Sequence, residues 1–234
     1  MSSTTRNSSR TLYFAYGSNL HLKQMATRCP ESRFIGLGIL RGYRWQINER
    51  GYANVVEDSN MTTEGLCYLL SAKDEDRLDR NEGVHIGAYE KAELEVELVC
   101  RPAVLVGQDV VEIVKGRALE ALTIQTNQVV EEEIERKGPS SWATAGEEEE
   151  SNNWPCVGTN RGEIATALVY LSTTYKTEGK PHEEYVSRMN AGIKDALVLG
   201  MSSLFVASAI RPYIDAEPER LFNEAEATTD TIER

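Results

Sequence analysis

From Tyr89 to Val99 the chain alternates with a period of two. Ala92, Leu94, Val96 and Leu98 are apolar, and Glu93, Glu95 and Glu97 stand between them. That pattern fits a strand with one face on a core and the other in water. Thr11 to Tyr16, Phe34 to Asn48, Ala53 to Glu57, Gly65 to Leu70 and Glu163 to Ser172 also read as strands. The second and third are separated by the turn-like Glu49-Arg50-Gly51-Tyr52. Segments 102–114 and 118–126 add β-rich sequence, and "MSSLFVASAI" (201–210) reads as a last strand. Helical periodicity is confined to three stretches. Leu22, Met25, Ala26 and Cys29 form one apolar stripe, with Ser18 as the expected N-cap and Pro30 as the stop. "SAKDEDRLDRNEG" opens on a Ser71/Asp74 capping pair and ends near Gly83. His182 to Gly200 carries Val186, Met189, Ile193, Ala196 and Leu197 on one face. Strands outnumber helices and are not regularly interleaved with them, which favours an α+β fold over a doubly wound sheet.

With 41% hydrophobic residues in 234, the chain can bury one good-sized core. The expected organisation is a polar flexible tail over 1–10, one domain over 11–215 and an acidic tail over 216–234. A long acidic insertion is expected at about 131–161, where Glu, Gly, Ser and Pro dominate and Trp142 and Trp154 stand out. It reads as a partly disordered surface loop, with a lid as the other possibility. The start of the chain has no apolar signal core, and no stretch approaches the length of a membrane span. A cytoplasmic protein is therefore expected, with no membrane partner.

A net charge of −12 argues against nucleic acid or an anionic membrane as the main partner, because both reward basic patches. The acidic faces favour a monomer. Cys29, Cys67, Cys100 and Cys156 are widely and irregularly spaced, and His21, His85 and His182 are scattered. Neither a disulfide framework nor a metal site is suggested, and reduced, mostly buried thiols are expected.

Two short stretches carry chemistry. Tyr16-Gly17-Ser18-Asn19-Leu20 lies where a buried strand gives way to a helix. A helix start leaves backbone N–H groups without partners, and glycine admits close approach, so such a corner suits a carboxylate or a developing oxyanion. On its own it is equally an ordinary tight turn. Glu82 follows the middle helix and precedes Gly83-Val84, a position that is usually a solvated surface group.

Taken together, "YFAYGSNL" (Tyr13 to Leu20), "DRNEGVHIGAY" (Asp79 to Tyr89) and "GKPHEEYVSRMNAGI" (Gly179 to Ile193) resemble the ordered landmarks of the γ-glutamyl cyclotransferase family. The resemblance covers roughly residues 11–100 and 163–195. It implies a small mixed β-barrel flanked by helices, with the site in a cavity at the barrel mouth. It implies a reaction in which a γ-glutamyl compound yields 5-oxoproline and a free amine, without metal, nucleotide or other cofactor. By the same resemblance Glu82 is the catalytic carboxylate, and Tyr16, Gly17, Ser18, Asn19, Leu20, Tyr89 and Tyr185 bind substrate.

These residue types suit that reaction. The substrate's α-ammonium must lose a proton before its nitrogen attacks the γ-carbonyl, and Glu82 is placed to take it and return one to the departing amine. Whether the backbone at Gly17 to Leu20 holds the α-carboxylate or the oxyanion stays open here. The expected substrate is a γ-glutamyl amino acid, glutathione or a glutathione conjugate of the kind met in secondary metabolism. The alternatives are a cyclotransferase for γ-glutamylamines and a non-catalytic small-molecule-binding module on the same fold.

Overall fold

A computed structural model gives the fold, and the residues it describes are 10–100, 104–116 and 163–216. Five strands close into a barrel: β1 (Thr11–Ala15), β2 (Arg33–Ile47), β3 (Ala53–Leu70), β4 (Glu90–Cys100) and β5 (Glu163–Leu171). The order around it is β1-β3-β2-β4-β5. Every neighbouring pair is antiparallel except β1 with β5, which are parallel. The two strands expected at Ala53 to Glu57 and Gly65 to Leu70 are one continuous strand of 18 residues. Register shifts between Phe34 and Gly36 and between Arg41 and Tyr43 mark bulges in the partner strand β2. Closure leaves no sheet edge to water, and the mixture of parallel and antiparallel pairs makes this an α+β barrel.

The alternation in β4 has its expected cause. Val96 and Leu98 are buried, Ala92 and Leu94 half-buried, and Glu93 and Glu95 exposed. Phe14, Phe34, Leu66 and Tyr68 fill the interior with essentially no exposure. Each such side chain contributes on the order of 1.5–3 kcal/mol of transfer free energy. Trp45 is buried between the barrel and the C-terminal segment. Its indole N–H donates to the Tyr16 carbonyl at 2.9 Å, and its ring meets Tyr213 edge-on at 5.7 Å.

Helix α1 (Leu22–Arg28) buries Leu22 and Met25, and α2 (Ala72–Asn81) is capped by the Ser71 hydroxyl accepting from the Asp74 N–H. Helix α4 (Glu183–Val198) turns Tyr185, Met189, Ile193 and Ala196 inward. Tyr185 thus joins the expected stripe, whereas Leu197 stays exposed. Two local expectations fail. Residues 110–115, placed in β-rich sequence, form the short helix α3 (Val110–Lys115), whose buried Val110 and Ile113 follow a helical spacing of three. Residues 203–210, read as a strand, form a helical turn (Ser203–Phe205) running into a wider π turn (Val206–Ile210). The Ser202 hydroxyl caps it by accepting from the Phe205 N–H, a local bond that competes with extended structure. Beyond this turn Ile214 is fully buried. The segment 118–126 and the acidic insertion at about 131–161 lie outside the described residues, as do the tail at 1–9 and residues 217–234.

The thiols of Cys29 and Cys67 are buried and outside any disulfide. Burial, with Asp74 nearby, pushes the Cys29 thiol up to about 12, so it stays protonated and poorly nucleophilic. No helix among the described residues is long and apolar enough to cross a membrane.

Candidate active site

Strand β1 ends in a 3-10 turn over Ser18–Leu20, closed by the Leu20 N–H on the Gly17 carbonyl at 2.9 Å. This turn stands between strand and helix, so Ser18 does not cap α1. His21 occupies that position without a side-chain bond, and the Leu22 N–H is taken by the Asp195 carboxylate of α4 at 2.8 Å. The positive end of α1 is thereby answered within the protein. The Leu22 N–H at the helix start is therefore spent, and what the corner offers a ligand comes from side chains and from Gly17–Asn19.

Asn19 is the hub. Its side-chain carbonyl accepts from Gln24 Nε2 and Arg28 Nη1, both at 2.9 Å. Its amide nitrogen donates to the Tyr13 hydroxyl at 2.9 Å and to Glu82 Oε1 at 3.1 Å. Its backbone carbonyl accepts from the Tyr68 hydroxyl at 3.2 Å. A buried amide with all of these partners is held in one orientation.

Glu82 arrives from the other side, as the residue that ends α2. Gly83 follows with φ 68°, ψ 36°, a left-handed conformation that glycine adopts without penalty. The reversal carries the chain into a second 3-10 turn, Val84–Ile86, and from there to Tyr89 and β4. Glu82 is packed in protein on all but its cavity side, where 18% of the side chain is exposed. Burial pushes its carboxyl above the ordinary range, against the pull of Arg28, Asn19 and Arg188. The negative end of α2 disfavours the ionised form further. Oε1 is fixed by Asn19, with Arg28 Nη1 at 3.7 Å, while Oε2 has no hydrogen bond to the described residues.

A cavity of about 310 Å³ opens over Glu82. Gly17, Ser18 and Asn19 line it, and so do Tyr16, Tyr89 and Tyr185. Leu20 does not: it is fully buried beneath the turn, and its N–H is spent on the Gly17 carbonyl. The tyrosines are locked by backbone groups. Tyr16 donates to the Tyr170 carbonyl at 2.5 Å and Tyr89 to the Ala53 carbonyl at 2.6 Å, while the Tyr185 hydroxyl accepts the Ala53 N–H at 3.3 Å. Burial raises all three phenols, so they act as neutral hydrogen-bonding groups. A Cβ on Gly17 would stand 2.9 Å from the Tyr185 oxygen, which is why the turn needs glycine there. Tyr13, Arg28, Arg50, Tyr52 and Arg188 also line the cavity and were missed by the sequence reading. Arg28 had a legible signal, since it sits nine residues after Asn19 on the helix that leaves the turn. Arg50, in the hairpin turn between β2 and β3, had none. Among the described residues no cluster of His, Cys, Asp or Glu is arranged to hold a metal ion.

This arrangement can do two things at once. It holds a carboxyl of raised proton affinity, with one oxygen oriented and the other open, and it places beside it a turn of glycine, serine and asparagine. Such a pair of groups is suited to exchanging a proton with a ligand held at the turn.

The sequence matches the family model described as "Gamma-glutamyl cyclotransferase, AIG2-like" over residues 13–125. Among solved structures, an uncharacterised protein from Homo sapiens aligns with TM-score 0.54 at 17% identity, covering 96% of this chain and 94% of its own. A second, titled "Gamma-glutamyl cyclotransferase", gives TM-score 0.54 at 17% identity, with 92% of each chain covered. At that identity the likeness shows a shared fold. No curated protein matches the sequence.

Proposed function

The chain belongs to the γ-glutamyl cyclotransferase, AIG2-like family, and we propose that it is itself a cyclotransferase acting on γ-glutamyl amino acids or peptides, glutathione and its conjugates included. The observation that carries this reading is the 3.1 Å contact between Asn19 Nδ2 and Glu82 Oε1, which puts the carboxyl and the Gly-Ser-Asn turn in one hollow.

The glutamyl group lies at the turn with its α-amine against Glu82 Oε2. Free in water that amine is mostly an ammonium at neutral pH. The raised proton affinity of Glu82 narrows the gap, so transfer from nitrogen to carboxylate costs less than it would to an ordinary glutamate. The freed nitrogen attacks the γ-carbonyl carbon of the same molecule. A C–N bond closes the five-membered ring, the carbonyl becomes a tetrahedral oxyanion, and the bond to the leaving nitrogen breaks. Glu82 returns its proton to that nitrogen, and the restored carboxylate passes on the remaining extra proton of the ring nitrogen in the same way, so 5-oxoproline and an ammonium result and Glu82 ends as a carboxylate. Because the attack is intramolecular, fixing one rotamer removes most of its entropic cost. The ordered tyrosines and the Gly17–Asn19 turn supply that fixation.

Purified protein incubated with γ-glutamyl amino acids, glutathione and a glutathione S-conjugate is expected to release 5-oxoproline from at least one. The acid limb of kcat is expected above the ordinary carboxylate range, because activity falls as Glu82 is protonated and its affinity for protons is raised. Release from none, by protein that is folded, contradicts the reading. An acid limb in the ordinary carboxylate range removes Glu82 as the base.

A further inference from the structure

The cavity holds a second feature that this chemistry does not use. Arg50 lines it from the tip of the β2–β3 hairpin. Its guanidinium stacks over Tyr175 at 5.1 Å, Tyr52 at 5.9 Å and Tyr89 at 6.0 Å. One nitrogen donates to the Ala88 carbonyl at 3.2 Å. The hairpin tip is itself pinned, with the Arg50 N–H on Asn48 Oδ1 at 3.1 Å and the His182 N–H on the Gly51 carbonyl at 3.3 Å.

Among the described residues its charge has no counter-ion. Of the other three arginines of the cavity, Arg28 lies 3.7 Å from Glu82 and Arg188 2.8 Å from Glu184, while Arg80, in the last turn of α2, has no ion pair among the described residues. Arg50 pairs with no carboxylate among the described residues, in a chain whose 37 acids outnumber its 25 Lys and Arg residues. Aromatic faces hold a guanidinium in place and leave its edge donors for a ligand. A half-buried planar cation presented this way fits a carboxylate through two parallel hydrogen bonds.

Its position selects which carboxylate. The glutamyl group is fixed at the Gly17–Asn19 turn, where Arg28 donates to Asn19 and lies 3.7 Å from Glu82, so its α-carboxylate has a cation at that end. Arg50 is held instead against Ala88, Tyr52, Tyr89 and Tyr175, on the hairpin side of the cavity.

We propose that Arg50 is a specificity residue that receives the carboxylate of the leaving amine. This rests on the cyclotransferase reading and narrows it: the leaving group is an amino acid or peptide with a free carboxylate beside the scissile amide, and neutral γ-glutamylamines are poor ligands. Arg50 touches the part of the substrate that departs and takes no part in proton transfer.

The test compares γ-glutamylalanine with γ-glutamylalaninamide, which differ only in that carboxylate. Calorimetry on the Glu82→Gln protein reads binding without turnover. The acid is expected to bind about ten- to a hundredfold more tightly than the amide. Adding Arg50→Ala is expected to collapse that ratio to near one, and Arg50→Lys to leave an intermediate ratio, since lysine keeps the charge without the fork. On wild-type protein the same preference is expected in KM, with kcat much less affected. Equal affinities for the two compounds, no measurable binding of either, or a ratio that survives Arg50→Ala in folded protein overturns the subsite. If binding shows the preference but wild-type protein releases no 5-oxoproline, the cyclisation reading falls and the carboxylate subsite stands.

Discussion

Replacing Glu82 by glutamine is expected to lower 5-oxoproline formation by about 10²–10⁴-fold, the usual contribution of a positioned acid–base group. Glutamine keeps the size of the side chain and an oxygen that can accept from Asn19 Nδ2, but it cannot take a proton. The loss should therefore fall on kcat, with substrate affinity much less changed. Stability separates this from a folding defect. Glu82 has a raised proton affinity in the folded protein, so its contribution is most favourable at low pH, where it is protonated folded and unfolded alike. That contribution is lost as pH rises through the folded value. At neutral pH the wild type thus carries a buried charge that glutamine relieves. Thermal melts should place Glu82→Gln at or above wild type at neutral pH, with the difference shrinking as pH falls toward the unfolded value. Turnover equal to wild type would remove Glu82 from the mechanism.

Replacing Trp45 by alanine is expected to destabilise the protein by about 3–5 kcal/mol, a shift of roughly 6–20 °C in Tm for a chain of this size. Trp45 is 2% exposed, packs on Tyr213 and donates its indole N–H to the carbonyl of Tyr16, the residue that leads into the Gly-Ser-Asn turn. Its loss opens a cavity and leaves that buried carbonyl without its donor. Trp45→Phe, which keeps most of the volume and loses only the bond, should cost about 1–2 kcal/mol. Calorimetry of the two variants checks both figures. A loss below about 1 kcal/mol for Trp45→Ala would show that the C-terminal segment does not depend on this contact.

Much of the barrel was legible because its strands announce themselves by pattern. The alternation of β4 and the apolar run of β1 depend on burial, and burial is what hydropathy reports. Capping chemistry was legible where it is local: Ser71 answers Asp74, and Gly83 ends α2 in the left-handed region. Reading failed where a tertiary partner or a local side-chain bond decides. Residues 110–115 are rich in Val and Ile, yet Val110 and Ile113 bury one face of a helix. Residues 203–210 are apolar enough for a strand, yet the Ser202 cap turns them helical. Ser18 looked like a helix cap because nothing in sequence shows Asp195 arriving from 173 residues away to take the Leu22 N–H.

The site divides the same way. Gly17, Asn19 and Glu82 stand in short motifs, and their residue types narrow what they do. Arg50 and Arg188 reach the cavity only through the closure of the barrel and the docking of α4, and their immediate sequence neighbours give no sign of it. The net charge of −12 says nothing of the arginines gathered in the hollow, because a sum over the surface does not report a local cluster.

The central claim is that the Glu82 carboxyl takes its proton from an amine held against the Gly17–Asn19 turn. A crystal structure with 5-oxoproline bound tests it most directly, because the ring nitrogen of the product is the former α-amine. The ring nitrogen is expected within hydrogen-bonding distance of a Glu82 oxygen, with the product lying against Gly17–Asn19. A product bound elsewhere, or bound in this hollow with its nitrogen turned away from Glu82, would contradict the account.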